Sequence, residues 1–176
     1  IYTTIFQIKP YIKSLGFEID ASGILSDNRI VVCEGDSAIV TIKVSGGVGS
    51  PTIVWNPTNG VRQISLQVFV VKSDITQDYA IAVYDILGNK FSDTLHFIVS
   101  PSPNTEISGP RIVKRNTAQV YSVEQQIGCT YLWNCTGGTI LSGQYTHQVE
   151  ILWADVSNSS LVCAVINSNQ CEATSG

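Results

Sequence analysis

A chain of 176 residues with 44% apolar side chains can bury one large or two small cores, which excludes wholesale disorder. Charged residues make up only 14%, the net charge is −4, and the four Arg at 29, 62, 111 and 115 form no basic cluster, which argues against a nucleic-acid partner. No run of about 18 apolar residues offers a membrane-spanning helix. The apolar set is dominated by 21 Ile and 19 Val, with 14 Thr beside them, against 9 Leu, 8 Ala and no Met. Branching at Cβ suits a pleated surface, so the composition predicts an all-β chain with almost no helix. Without a Met at its start, the chain is expected to be a processed or excised piece of a longer protein.

In chain order, Ile1 to Pro10 comes first, an extended run that carries Thr3, Ile5, Phe6 and Ile8 and closes on Pro. Its Thr3–Pro10 portion matches Thr94–Pro101 at an offset of 91. Pro cannot continue a central ladder, so both segments read as the last strand of a module on its way into a linker. Residues 1–10 are therefore expected to end a preceding module or to act as a donor strand, pairing outside the first module. A first sandwich is expected over 11–101. Its strands run from Ser37 to Val44, Thr52 to Asn56, Ile64 to Val71, Asp78 to Tyr84 and Phe91 to Val99, with the Gly-rich stretch 45–50 as a turn. Ser-Pro-Ser-Pro-Asn-Thr at 100–105 follows as a semi-rigid linker.

The second sandwich, over 102–176, repeats the first. Thr52-Ile-Val-Trp-Asn-Pro-Thr-Asn-Gly60 matches Thr130-Tyr-Leu-Trp-Asn-Cys-Thr-Gly-Gly138 at an offset of 78, and Ala80–Asp85 matches Val162–Asn167 at 82. Strands follow at Thr117 to Val123, Thr130 to Cys135, Gln148 to Trp153 and Ser160 to Asn167, and the counterpart of Phe91–Val99 is expected to be missing. Short alternating strands with a Trp on the third fit two tandem immunoglobulin-like sandwiches, with Trp55, Trp133 and Trp153 in their cores.

Four of the five Cys lie in the second module. Residues facing each other across an antiparallel pair have a constant sum of numbers. Cys129 with Cys171 gives 300 and Cys135 with Cys163 gives 298, whereas the crossed pairs give 292 and 306. A local bridge from Cys129 to Cys135 would have to span about 20 Å along one strand, beyond disulfide reach. The expected bridges are therefore Cys129–Cys171 and Cys135–Cys163, with Cys33 an unpaired, buried thiol. Disulfides in turn imply an oxidising, extracellular setting.

Several strings resemble the PKD-like, immunoglobulin-like repeats of secreted Bacteroidota surface proteins. They are Ile107–Val113, Gln119–Val123, Gly128–Trp133, Gly137–Ile140, Val149–Trp153 and Asn167–Cys171, with Val32-Cys-Glu-Gly-Asp36 as the opening of the first module. The resemblance implies secretion, often by the type IX system, and long chains engaged in adhesion, gliding or surface assembly. Two features depart from it. Val113 stands where the second module should open with Cys, and no W-x-F-G-D-G string is present, so calcium or polysaccharide roles are not carried over.

Candidate sites are few. His96 reads as an outward strand residue and His147 as a strand start, neither beside a nucleophile motif, so no enzyme activity and no cofactor are expected. Asp20, Asp27, Glu34 and Asp36 could pinch a calcium ion but lack the D-x-[DN]-x-[DN]-G loop, and they read as solvated loop charges. Tyr11, Tyr84 and Tyr145 could form a sugar-binding platform, although Tyr in sandwiches usually covers core edges. The expected function is a non-enzymatic structural or adhesive segment of a larger surface protein. Its partners would be neighbouring modules, the next filament subunit, or a surface protein or glycan. The alternative is a carbohydrate-binding accessory module of a secreted enzyme.

Overall fold

The computed structural model describes residues 13–23, 27–155 and 157–175. The chain divides between Val99 and Ser100 into two compact units. All fourteen regular elements of the described residues are β-strands. The expectation placed on Thr3, Ile5, Phe6 and Ile8 lies outside the described residues.

Unit 1 is a two-sheet sandwich. One sheet has the order β1 (Gly16–Ala21), β3 (Ser37–Ser45), β6 (Val68–Lys72), β5 (Val61–Gln63), and the other the order β2 (Arg29–Cys33), β8 (Lys90–Ser100), β7 (Gln77–Tyr84), β4 (Thr52–Asn56). Alternation in the sequence sets which side chains turn inward. Ala38, Val40 and Ile42 of β3 are buried while Ile39 and Lys43 face water, and Tyr79, Ile81 and Val83 of β7 are buried while Asp78 and Ala80 are exposed. Leu95 and Phe97 of β8 are fully buried and close the core. Trp55 packs its ring against Phe69 at 5.1 Å and Tyr79 at 6.0 Å between centroids.

Unit 2 repeats the plan with fewer strands. β11 (Gly138–Ser142), β12 (Gln148–Trp153) and β9 (Thr117–Ser122) form one sheet, and β10 (Thr130–Thr136), β13 (Ser160–Ile166) and β14 (Glu172–Thr174) the other. Trp133 is 2% and Trp153 3% exposed, so all three Trp lie in cores, Trp55 and Trp133 at the matched place in the repeat. Trp153 Nε1 donates to the Tyr121 hydroxyl at 3.0 Å, and that hydroxyl donates to the Pro110 carbonyl at 3.1 Å. This chain of bonds ties the 107–110 segment to the core.

Two elements differ from the expectation. The run Ile64 to Val71 is not one strand, because Ile64 N and Ser65 N both donate to Val68 O and close a tight turn. Its front half instead joins β5 and β6 as a hairpin, which leaves Ile64 and Leu66 outside. The last strand of unit 2, expected to be missing, is present as the three residues of β14, paired with Ala164, Val165 and Ile166.

Candidate functional site

The cysteines require a correction. Cys129, Cys135 and Cys163 are free thiols, and Cys33 and Cys171 are disulfide-bonded, so neither expected bridge forms and Cys33 is not an unpaired thiol. The physical reason is register. β10 and β13 pair Trp133 with Cys163 and Cys135 with Leu161, so Cys135 and Cys163 are diagonal neighbours. Diagonal partners stand about 7–8 Å apart, past the 4.4–6.8 Å a disulfide spans. Cys171 leaves β13 altogether. Asn167 Oδ1 accepts from Asn169 N at 2.9 Å and Cys171 N at 3.0 Å, and this turn starts Cys171 on its way back towards β14. Unit 1 builds the same turn with Asp85, whose Oδ1 accepts from Leu87 N and Asn89 N, both at 2.9 Å. The Asn89 amide also bonds that carboxylate and holds it below the usual range.

Burial pushes the Cys163 thiol up to about 11 and raises that of Cys135 as well. Alkylation of the unreduced protein should therefore spare Cys163 until the chain is unfolded. Unfolded without reductant, Cys129, Cys135 and Cys163 should all label, while Cys33 and Cys171 are recovered in disulfide linkage. A peptide map linking Cys135 to Cys163 would overturn this assignment.

The remaining candidates disperse. Asp20 is paired with Lys43 and Asp27 with Arg29, while Asp36 N donates to Cys33 O in the turn after β2. His96 Nδ1 lies 2.7 Å from Asp78 Oδ1 on the outer side of the β7–β8 pair, and His147 stacks edge-on against Tyr131. Tyr84 carries Lys90 Nζ 5.8 Å from its ring centroid in unit 1, Tyr145 is exposed in unit 2, and Tyr11 lies outside the described residues.

Two surfaces stand out instead. The first is a sheet face that occurs once in each unit. Register places Thr52, Val54 and Asn56 of β4 beside Tyr84, Ala82 and Ala80 of β7. It places Thr130, Leu132 and Asn134 of β10 beside Ile166, Ala164 and Val162 of β13. All of these side chains point away from the cores, and none is charged. Thr, Asn and the central Ala are identical in the two units although no core requires them. The matches are legible in the sequence but their place on the outside is not, because a repeat reveals which residues recur and only the sheet pairing reveals which face they share.

The second surface is a cavity of about 650 Å³ in unit 2, lined by Ile107, Val113, Tyr121, Trp153, Ser160 and Leu161 among others. It opens beside the start of β13, which β14 does not reach.

No family model matches the chain, and no curated protein matches it by sequence. Solved structures do. The N-terminal eight immunoglobulin domains of Down syndrome cell adhesion molecule match with a TM-score of 0.56 at 14% identity, over 84% of this chain and 25% of that one. Domains A168–A170 of titin match with a TM-score of 0.50 at 12% identity, over 91% of this chain and 63% of that one. Both units are immunoglobulin-like β-sandwiches. The strand orders agree: β1-β3-β6-β5 is the A-B-E-D sheet and β4-β7-β8 the C-F-G sheet of that architecture, and β9 to β14 repeat B to G. The chain spans a quarter of the first of these structures and under two thirds of the second.

Proposed function

We propose that the chain is a non-enzymatic structural and adhesive segment of a larger extracellular surface protein, with the C-F faces of its two units as the adhesive surfaces. The observation that carries this reading is the recurrence of the same outward Thr, Asn and Ala in both units. These outward side chains, which no core selects, are uncharged and recur at the same places in both units, and the centre of an interaction surface is depleted of charge. The disulfide-bonded Cys33 and Cys171 support an oxidising compartment. The likeness to domains of a cell adhesion molecule, and the resemblance to the PKD-like repeats of Bacteroidota surface proteins, support adhesion and secretion, the latter by the type IX route.

Cells displaying the full chain should attach to a layer of the same cells. Ala82→Arg together with Ala164→Arg should weaken that attachment tenfold or more, a loss of about 1.4 kcal/mol or above, by placing a charge at the centre of each face. Both positions point outward, so folding should survive the change. Unchanged attachment by a folded double variant would remove the faces from the function.

A further inference from the structure

The outer edge of β9 is open, and the sequence before it keeps it open. In unit 1 the corresponding edge of β3 is covered along β1, from Gly16 opposite Ser45 to Ala21 opposite Val40. In unit 2 the preceding segment makes a single bridge, in which Ser108 N donates to Ser122 O at 2.8 Å and Ser122 N to Ser108 O at 2.9 Å. Two residues further on, the same antiparallel register would set Pro110 opposite Val120, where the ladder needs an N–H that Pro lacks. The chain instead crosses the Tyr121 ring at Gly109, where a Cβ would overlap that ring, and the Tyr121 hydroxyl donates to the Pro110 carbonyl. Backbone groups alternate along a strand. Those of Ser122 point to Ser108, and Val123 N points the other way, to His147 O beside β12, so the N–H and C=O of Ala118 and Val120 face the open edge. Among the described residues, β12 is the sole strand paired with β9, and nothing takes up these groups. The outer face beside them is apolar: Ala118, Val120 and Leu152 are exposed, and the Glu150 carboxylate accepts from Ser142 Oγ. The ends of the edge differ in charge. Exposed Lys114 and Arg115 precede β9, and exposed Glu124 follows it.

We propose that this edge pairs with the same edge of a second copy of the chain, β9 against β9, antiparallel about a two-fold axis at Gln119. That register sets Ala118 of each copy opposite Val120 of the other, so every open backbone group finds a partner and both Ser108–Ser122 bridges stay intact. Neighbouring registers fail. One sets Ala118 opposite Ser122, which Ser108 already holds, and the other sets Val120 opposite Asn116, whose N–H is committed to Trp153 O at 2.7 Å. Val120 of each copy then continues the Leu152–Ala118 row of the other, so the apolar stripe runs unbroken across the axis. The antiparallel sense also brings the basic entry of one β9 to the acidic exit of the other, with Lys114 level with Glu124, whereas parallel pairing would set like charges together. Such an interface is isologous and closes at a dimer. It lies on the β11-β12-β9 sheet and is independent of the C-F faces, which belong to the other sheet of each unit.

Sedimentation velocity of the full chain should show a monomer–dimer equilibrium, and hydrogen exchange in residues 117–121 should slow as concentration rises. Val120→Pro removes an N–H that β12 does not use, and should weaken the dimer about tenfold or more. Val120→Thr keeps the N–H and the branched Cβ and should stay close to wild type. Lys114→Glu should weaken the dimer several-fold by setting carboxylates together at both ends, and adding Glu124→Lys should restore it. Should Val120→Pro fail to fold, this loss and rescue decides alone. A wild-type chain that stays monomeric at every concentration overturns the proposal. So does a dimer that Val120→Pro and Lys114→Glu leave unchanged, including one lost only in the Ala82→Arg, Ala164→Arg variant, which would belong to the C-F faces.

Discussion

Replacing Trp133 with Ala should cost unit 2 about 3–5 kcal/mol, the usual loss on emptying a buried aromatic site. A unit of its size has roughly 4–11 kcal/mol in total at 0.05–0.15 kcal/mol per residue, so the variant should sit at the margin of folding. Hydrogen exchange read by mass spectrometry checks this unit by unit. Protection should collapse in β10 and β13 and persist in β3 and β7, since Trp133 belongs to the core of unit 2 and the core of unit 1 is a separate cluster. A finer comparison uses the indole nitrogens. Trp133 Nε1 donates to the Thr146 carbonyl at 2.8 Å, whereas Trp55 Nε1 is buried without a hydrogen-bond partner. Trp133→Phe should therefore cost about 1 kcal/mol more than Trp55→Phe, which removes a buried donor that had no partner to lose. Equal costs would show that ring volume alone sets both positions.

Gly60→Ala should destabilise unit 1 well beyond what backbone conformation alone requires. Gly60 has φ +77°, and a Cβ there would overlap the carbonyl oxygen of Lys72 on β6. Gly60 O also accepts from Lys72 N at 2.9 Å, so the two backbones cannot separate without opening the β5–β6 hairpin. Gly88 provides the control, with φ +82° and no neighbouring atom within 4 Å of the place a Cβ would take. Gly88→Ala should cost about 1–2 kcal/mol, the penalty of a left-handed L-residue. Gly60→Ala should exceed that clearly in denaturant titrations of the full chain. Matching costs for the two variants would mean that β6 yields easily and that the close approach carries no constraint.

Much of the fold was legible because strand periodicity is local. The pattern in Ser37–Val44 and Asp78–Tyr84 predicted the strands, and the offset between Thr52–Gly60 and Thr130–Gly138 predicted two modules with a Trp at the same place. Cβ branching determined the fold class by itself. These features depend on neighbours along the chain and on the two-residue repeat of a pleated strand.

What only the tertiary structure decided depends on register between strands far apart in sequence. A shift of two residues in the β10–β13 pairing, together with the Asn167 turn that sends Cys171 into the return strand, was enough to undo a disulfide assignment built on constant sums. The sequence match aligned Gly60 with Gly138, yet the residue that takes its part is Gly137, with φ +78° and its carbonyl accepting from Ala154 N and Asp155 N. The offset slips by one there because the turn before β11 is a residue shorter, and identity of residue type concealed the slip. The shared outward face of the Thr, Ala and Asn and the cavity in unit 2 were likewise invisible until pairing was known. Sequence periodicity says that a strand has two sides, but the partner strands decide which side meets water.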